Sequence, residues 1–267
     1  MTANRYTHGH HESVLRSHRW RTAENSAAYL LDSLSPGLDL LDVGCGPGNI
    51  TTDLANRVKP GRTVGIDAAE TVVDTARAAA EEQGVTGVEF EVADVYDLPF
   101  ADASFDVVHA HQVLQHLADP VAALREMHRV CRPGGVVAAR DSDYEAMTWH
   151  PESAGISRWL DMYRAVARAN RGEPDAGRWL LHWAHAAGFS DVTASASTWC
   201  YATPEDRDWW GGLWADRVTV SALGEQAAEQ GLATRSDLDE MADAWRAWAV
   251  DRDGWFAILH GEILCRS

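Results

Sequence analysis

The hydrophobic positions of the chain change period several times between Leu38 and Arg140, and each change marks an element. "LDLLDV" (38–43) reads as a buried strand, and "NITTDLANRV" (49–58) as a helix starting just after a cluster of glycines. "RTVGID" (62–67) is a second strand and "ETVVDTARAAAEEQ" (70–83) a second helix; "VEFEVAD" (88–94) and "FDVVHA" (105–110) are the third and fourth strands. Asp119-Pro120 supplies an N-cap and a first-turn proline, and Val121, Leu124, Met127 and Val130 follow on one helical face. "RPGGVVAAR" (132–140) turns into a fifth strand. Strands alternating with helices across short links predict an α/β fold, a doubly wound and mostly parallel sheet with helices on both faces.

Two flanking regions read differently. Residues 10–34 predict an N-terminal helical segment or pair, and beyond Ser142 tryptophan dominates: eleven of the twelve lie between Trp149 and Trp255. Helices are predicted at about 153–170, 175–187, 204–231 and 235–250. Thr203-Pro204-Glu205-Asp206 is a favourable helix start, a cap followed by proline and two acids. "VTASASTWCY" (192–201) and "WFAILHGEILC" (255–265) predict two further strands, making seven. The expected organisation is one compact domain: 1–36 as an N-terminal helical part of a lid, 37–146 as a cofactor-binding core, and 147–267 as sheet completion plus a Trp-rich helical cap. No repeat or low-complexity tract interrupts it.

Composition narrows the partners. A formal charge of −17 counts against an extended phosphate-binding surface, so no nucleic acid partner is expected. No apolar run approaches the roughly 20 residues that span a bilayer, and "MTANRYTHGHHESVLRSHRW" lacks the apolar centre of a secretory signal. A cytoplasmic location without a membrane partner is therefore expected. Cys45, Cys131, Cys200 and Cys265 are scattered without a CxxC pair, which argues against a zinc ribbon or a disulfide framework.

The chemistry begins at "LLDVGCGPGN" (40–49). Glycines there let a ligand approach the main chain, and the following helix aims unpaired N–H groups at it. Three acids end successive strands: Asp42 before the glycines, Asp67 after the second strand, Asp94 after the third. Asp67 lies nineteen residues after Gly48, where a dinucleotide fold places its ribose-binding acid. A pyrophosphate at the turn would be repelled by Asp42, which weighs against a nicotinamide-dependent oxidoreductase. An adenosine cofactor with no phosphate and a cationic amino-acid tail suits Asp42 better.

"DVGCGPGN", "GIDAAE" and "VADVYDLPF", followed by "FDVVHAHQVLQHLADP" and "RPGG", resemble the class I S-adenosylmethionine-dependent methyltransferases. The likeness covers about residues 38–140, and its details are most similar to the small-molecule branch related to ubiquinone/menaquinone C-methyltransferases. It implies a Rossmann-like sheet and S-adenosylmethionine as cofactor. Carried over by position, Asp42, Gly44, Cys45, Gly46, Gly48 and Asn49 would wrap the methionine end and ribose, Cys45 through its backbone. Asp67 would take the ribose hydroxyls with Ala68 beside the adenine, Asp94 and Val95 would read the adenine edge, and His111 and Gln112 would lie by the methyl group.

Ligands of an open parallel sheet lie beyond the strand C-termini, so the candidate catalytic residues are His111, Asp141, Asp143 and Tyr144. Asp turns are common, so Asp141 and Asp143 can equally be caps of the next segment. His109, His111 and His116 carry neither CxxC nor HExxH, and no acid stands after the fourth strand, so no metal is expected. "HGHHE" (8–12) reads as a solvated stretch or part of a lid. Trp179/Trp183, Trp210/Trp214 and Trp245/Trp248 at helical spacing are mostly packing. Trp209 and Trp210 cannot share a face, which leaves one to point into a pocket.

The expected reaction is methyl transfer to a small acceptor, apolar, aromatic or cationic, at carbon, nitrogen or oxygen. The absence of an "NPPY" segment after the fourth strand disfavours amide and exocyclic-amine methylation. A repurposed or non-catalytic cofactor-binding protein on the same fold is the alternative, and the flanking regions offer a homodimer contact.

Overall fold

A computed structural model describes residues 20–267, and its elements follow the sequence pattern closely through the first half. Two short helices, α1 (Ala23–Ser26) and α2 (Ala28–Leu31), lead into β1 (Leu40–Val43), α3 (Asn49–Val58), β2 (Thr63–Asp67), α4 (Glu70–Glu82) and β3 (Val88–Val92). Next come β4 (Phe105–His111), α5 (Pro120–Val130) and β5 (Cys131–Ser142). The second half runs β6 (Thr148–His150), α6 (Ala154–Ala169), α7 (Leu180–Ala187), β7 (Asp191–Tyr201), α8 (Pro204–Val220), α9 (Ala222–Glu229), α10 (Arg235–Val250) and β8 (Trp255–Arg266). The part of the N-terminal segment before Trp20, including "HGHHE", lies outside the described residues.

Strands β3, β2, β1, β4 and β5 lie side by side and parallel, and β8 runs antiparallel beside β5. β7 pairs with β8 along its length, Asp191 opposite Arg266 through Tyr201 opposite Phe256. The chain thus winds outward in both directions from the β1/β4 pair, where Val43 stands opposite Ala110. A reversal of this kind opens a crevice beyond the strand C-termini. β1 is buried on both faces, between a cluster that includes Met127 and Leu124 of α5 and another that includes Leu54 of α3 and Leu30 of α2.

The sheet holds eight strands where the sequence predicts seven. β5 occupies only the C-terminal part of one edge of β8, and Thr148–His150 pairs with Ala257–Trp255 to fill the remainder. A three-residue strand carries too little alternation to be visible as a period. The predicted helix 204–231 is two helices, because Ser221 adopts an extended conformation and its Oγ accepts from Leu223 N, capping α9.

Helices α6, α8, α9 and α10 form a second layer with its own aromatic core. Trp159 meets Trp214 and Trp245 edge-on, with ring centroids 4.4 and 4.9 Å apart. From this layer α8 reaches the cavity at the strand C-termini. Among the described residues no helix is long and apolar enough to cross a membrane.

Candidate active site

The glycine turn after β1 is shaped by its neighbours. Gly44, Gly46 and Gly48 have φ of 68°, 55° and 86°, values that L-residues rarely adopt. A Cβ on Gly44 would stand 2.4 Å from Val113 Cγ2, so the turn approaches the segment after β4 too closely for any side chain. Cys45 N donates to Ile66 O (2.8 Å) and ties the turn to β2. Gly48 is not among the residues that line the cavity; a Cβ there would meet Ala76 and Phe90 at 3.0 Å, so this glycine allows close packing of the turn against α4 and β3.

The three acids sit at the strand ends, as their spacing implied. Asp42 is 3% exposed, and both its oxygens are engaged: Oδ2 accepts from Thr51 Oγ1 (2.5 Å), and Oδ1 lies 2.7 Å from His109 Nδ1. His109 therefore braces the acid from beneath, a pairing the sequence reading missed. Asp67 accepts from Gly46 N (3.2 Å) and Ala69 N (3.1 Å), and Asp94 from Tyr96 N (2.9 Å). Each carboxylate keeps lone pairs for a ligand. Cys45, Asn49, Ala68 and Val95 join them in the wall of one cavity. Burial pushes the Cys45 thiol up, away from thiolate chemistry.

That cavity encloses about 500 Å³ and continues beyond the turn into an aromatic half. His111 and Gln112, at the end of β4, mark the junction. His111 is buried, and neither ring nitrogen has a hydrogen-bond partner among the described residues. Burial, reinforced by the charges of Arg21 and Arg140, holds its pKa well below the ordinary histidine value, so the ring is neutral. Gln112 has φ 54°, uncommon outside glycine, and its side chain is fully used. Its Oε1 accepts from Arg21 Nη2 (2.6 Å), and its Nε2 lies 3.0 Å from Ser142 Oγ and 2.9 Å from His260 Nε2.

The aromatic half draws on four segments. Trp20 and Arg21 come from the N-terminal end, Tyr144 and Met147 from the segment after β5, Trp199 and Tyr201 from β7, and Trp209, Trp210, Trp214 and Arg217 from α8. Trp199 is the hub: its ring is edge-on to Trp20 at 5.2 Å and lies 5.7 Å from His111, while Nε1 donates to Asn25 O (2.6 Å). Tyr201 stacks on Trp210 at 4.4 Å, and Tyr144 on Tyr163 at 4.0 Å. Trp209 and Trp210 both line the cavity, where the sequence reading left room for one; their centroids are 5.8 Å apart at the rim and floor of one wall.

Two predicted catalytic residues are not in this wall. Asp143 is clamped by Arg178, whose Nε and Nη2 donate to its two oxygens at 2.6 and 2.7 Å. Asp141 is fully buried outside the cavity wall, its Oδ1 accepting from Gln115 N (3.2 Å) and its Oδ2 without a hydrogen-bond partner among the described residues. Burial pushes its pKa up to about 8. Neither acid is among the residues that line the cavity, which fits the alternative that Asp turns carry, a cap or brace for the following segment. His111 and Tyr144 do reach the cavity. Arg21, Tyr96, Val113, Trp199, Tyr201 and Arg217 are wall residues that sequence reasoning did not single out. Only Trp199 and Tyr201 left a signal, as alternate positions facing one side of a strand.

A protein-family model described as a methyltransferase domain matches residues 34–199. The chain is 34% identical over 270 residues to an uncharacterized methyltransferase of Schizosaccharomyces pombe, covering 98% of this chain and 96% of that one. It is 30% identical over 280 residues to the probable methyltransferase ltbC of Aspergillus luteorubrus, with 98% and 96% covered. Over a shorter stretch it is 37% identical to the O-methyltransferase cnsE of Penicillium expansum, covering 49% of this chain and 47% of that one. Among solved structures it is similar to the [4+2]-cyclase SpnF, with a TM-score of 0.51 and 26% identity over 94% of this chain and 80% of that one.

Proposed function

The chain belongs to the methyltransferase-domain family and is a class I S-adenosylmethionine-dependent methyltransferase, and on that premise we propose that it methylates a small, largely apolar aromatic acceptor held in the tryptophan-lined half of the cavity. One observation carries the proposal: the glycine turn and its acids share a single continuous cavity with Trp199, Trp209, Trp210 and Trp214.

The residues present fit the cofactor. The turn offers bare backbone at Gly44, where a side chain would clash with Val113, Asp67 has lone pairs for the ribose hydroxyls, and Asp94 with Val95 offers an edge for the adenine. Asn49 and the first turn of α3 close the amino-acid end, where Asp42 supplies the negative charge. When bound, S-adenosylmethionine supplies an electrophilic methyl group on a sulfonium. The chain's part is positioning and the exclusion of water. His111 offers a neutral, unpartnered nitrogen at the junction, placed to accept a hydrogen bond from the acceptor's reacting group. Tyr144, held by its stack on Tyr163, forms the adjoining wall.

The likeness to a [4+2]-cyclase favours one alternative, a bound cofactor that shapes the cavity without giving up its methyl group. Incubation with methyl-deuterated S-adenosylmethionine and a set of aromatic acceptors separates the two. The proposal expects deuterated product and S-adenosylhomocysteine in equal amounts. An acceptor that is converted without any S-adenosylhomocysteine would establish the alternative.

A further inference from the structure

The link between β5 and β6 carries two cavity residues, Tyr144 and Met147, while the charged groups that hold it lie outside the cavity wall. Asp143 N donates to Leu259 O (2.9 Å), Ala146 N to Asp143 O (3.2 Å) and Met147 N to Tyr144 O (3.1 Å), so the link is a tight turn. Asp143 Oδ1 also accepts from Ala146 N (3.1 Å). The Asp143 side chain is 3% exposed, and both its oxygens receive the fork of Arg178. Arg178 stands on a 3-10 turn, Ala176–Trp179, packed directly on the sheet: a Cβ on Gly177 would lie 2.8 Å from Gly261 N. Its Nη1 also donates to Glu145. A second brace ties the same link to α6. Asp175 Oδ1 accepts from Glu145 N (2.9 Å) and Arg164 Nε (3.1 Å), and its Oδ2 from Arg164 Nη2 (2.8 Å) and from Arg168. Glu145 follows Tyr144 and Arg164 follows Tyr163, the two tyrosines whose rings are stacked at 4.0 Å with 13° between their planes.

Resting on the methyltransferase reading above, with its acceptor in the aromatic half, we infer that Arg178 is a positioning residue. Through the Asp143 carboxylate it fixes the Tyr144 ring as a wall of the acceptor subsite, and so sets acceptor affinity without touching acceptor or cofactor.

An ion pair exposed on both sides would contribute little. Here the arginine is 44% exposed but its carboxylate is buried, so losing the arginine strands a buried charge. Glu145 and Asp175 stand on the same network, and their negative charges add to the cost. The turn relieves both by moving Asp143 toward water, which draws Tyr144 off Tyr163 and out of the cavity wall. The residues expected to hold the cofactor are insulated from this movement. The glycine turn, Asp67 and Asp94 follow β1, β2 and β3, which lie on the far side of β4 from β5.

The probe is 2-naphthol, a neutral flat aromatic, titrated calorimetrically into the full chain saturated with S-adenosylhomocysteine. Arg178→Met should weaken 2-naphthol about tenfold and keep the affinity for S-adenosylhomocysteine within about twofold of the parent. A general loosening of the fold would weaken both. Tyr144→Leu should weaken 2-naphthol by a similar factor, and the double variant no further, because both changes remove the same wall. Arg178→Lys keeps the charge without the fork and should lose about threefold; it carries the test if Arg178→Met does not fold. Overturning results are 2-naphthol bound as tightly by the Arg178 variants as by the parent, losses in Arg178→Met and Tyr144→Leu that multiply in the double variant, or an equal loss of both ligands in Arg178→Met. A parent chain that binds S-adenosylhomocysteine but no 2-naphthol at millimolar concentration would remove the aromatic-acceptor reading and this role of Arg178 with it. Failure of S-adenosylhomocysteine itself to bind would instead remove the methyltransferase reading.

Discussion

His109 Nδ1 lies 2.7 Å from Asp42 Oδ1, with both side chains buried at the C-terminal end of neighbouring strands. The acid that precedes the glycine turn is thus oriented by two partners, His109 and Thr51, before any ligand arrives. A carboxylate held in this way loses little freedom on binding, and removing one partner leaves a buried acceptor unmatched.

His109→Leu should therefore weaken S-adenosylhomocysteine binding by about tenfold, while His109→Asn, whose amide can donate to the same oxygen, should stay close to the parent. Calorimetric Kd values for the two variants check this. Equal losses in both would show that His109 acts only by filling space.

Gly44→Ala should lower cofactor affinity by at least about tenfold, because its Cβ would stand 2.4 Å from Val113 Cγ2. Adding Val113→Ala removes that clash but not the strain of a positive φ, about 1 kcal/mol. The double variant should regain part of the binding and no more. Full recovery would mean that the backbone angle is unimportant, and no recovery that the contact is.

Acid should destabilise the protein from near pH 6.5 downward. His111 and His260 have pKa values well below the ordinary histidine value, and His116 is lowered to about 3. Desolvation is the first cause in each. The unfolded chain then binds protons that the native state refuses, so stability is present above the unfolded pKa and lost as pH falls. The expected slope is up to about 1.4 kcal/mol per pH unit for each histidine. Urea unfolding between pH 5 and 7 measures it, and a flat profile over that range would contradict the assignment.

Asp141 behaves in the opposite sense. Its pKa is raised to about 8 by burial, so its contribution is fully present below the unfolded value near 4 and is lost as pH rises to about 8. Asp141→Asn keeps the shape without the titration. The variant should melt at a higher temperature than the parent at pH 8 and at a similar temperature at pH 4.5, read by calorimetry. A variant less stable at pH 8 would show that the charged form is the one the fold holds.

The cavity half around the glycine turn was legible in the sequence because its residues are tied to strand ends. Asp42, Asp67 and Asp94 each close a recognisable apolar run, and parallel strands must bring those ends to one edge of the sheet. The aromatic half was less legible. Arg21 and Arg217 are separated by most of the chain, and nothing local marks either as a cavity residue. The tryptophan density pointed to the right region, yet Trp159 and Trp245 serve the core while Trp209 and Trp210 serve the cavity, and helical spacing alone does not separate these roles. Asp143 misled for the same reason: its partner Arg178 is 35 residues away, and only the folded chain shows the carboxylate already taken.

The most direct measurement is a crystal structure of the chain with S-adenosylhomocysteine. The account predicts the ribose hydroxyls on Asp67, the adenine edge against Asp94 and Val95, and the sulfur at the junction beside His111, facing the tryptophan-lined half. A sulfur turned away from Trp199 and Trp210, or a cofactor bound outside the glycine turn, would contradict it.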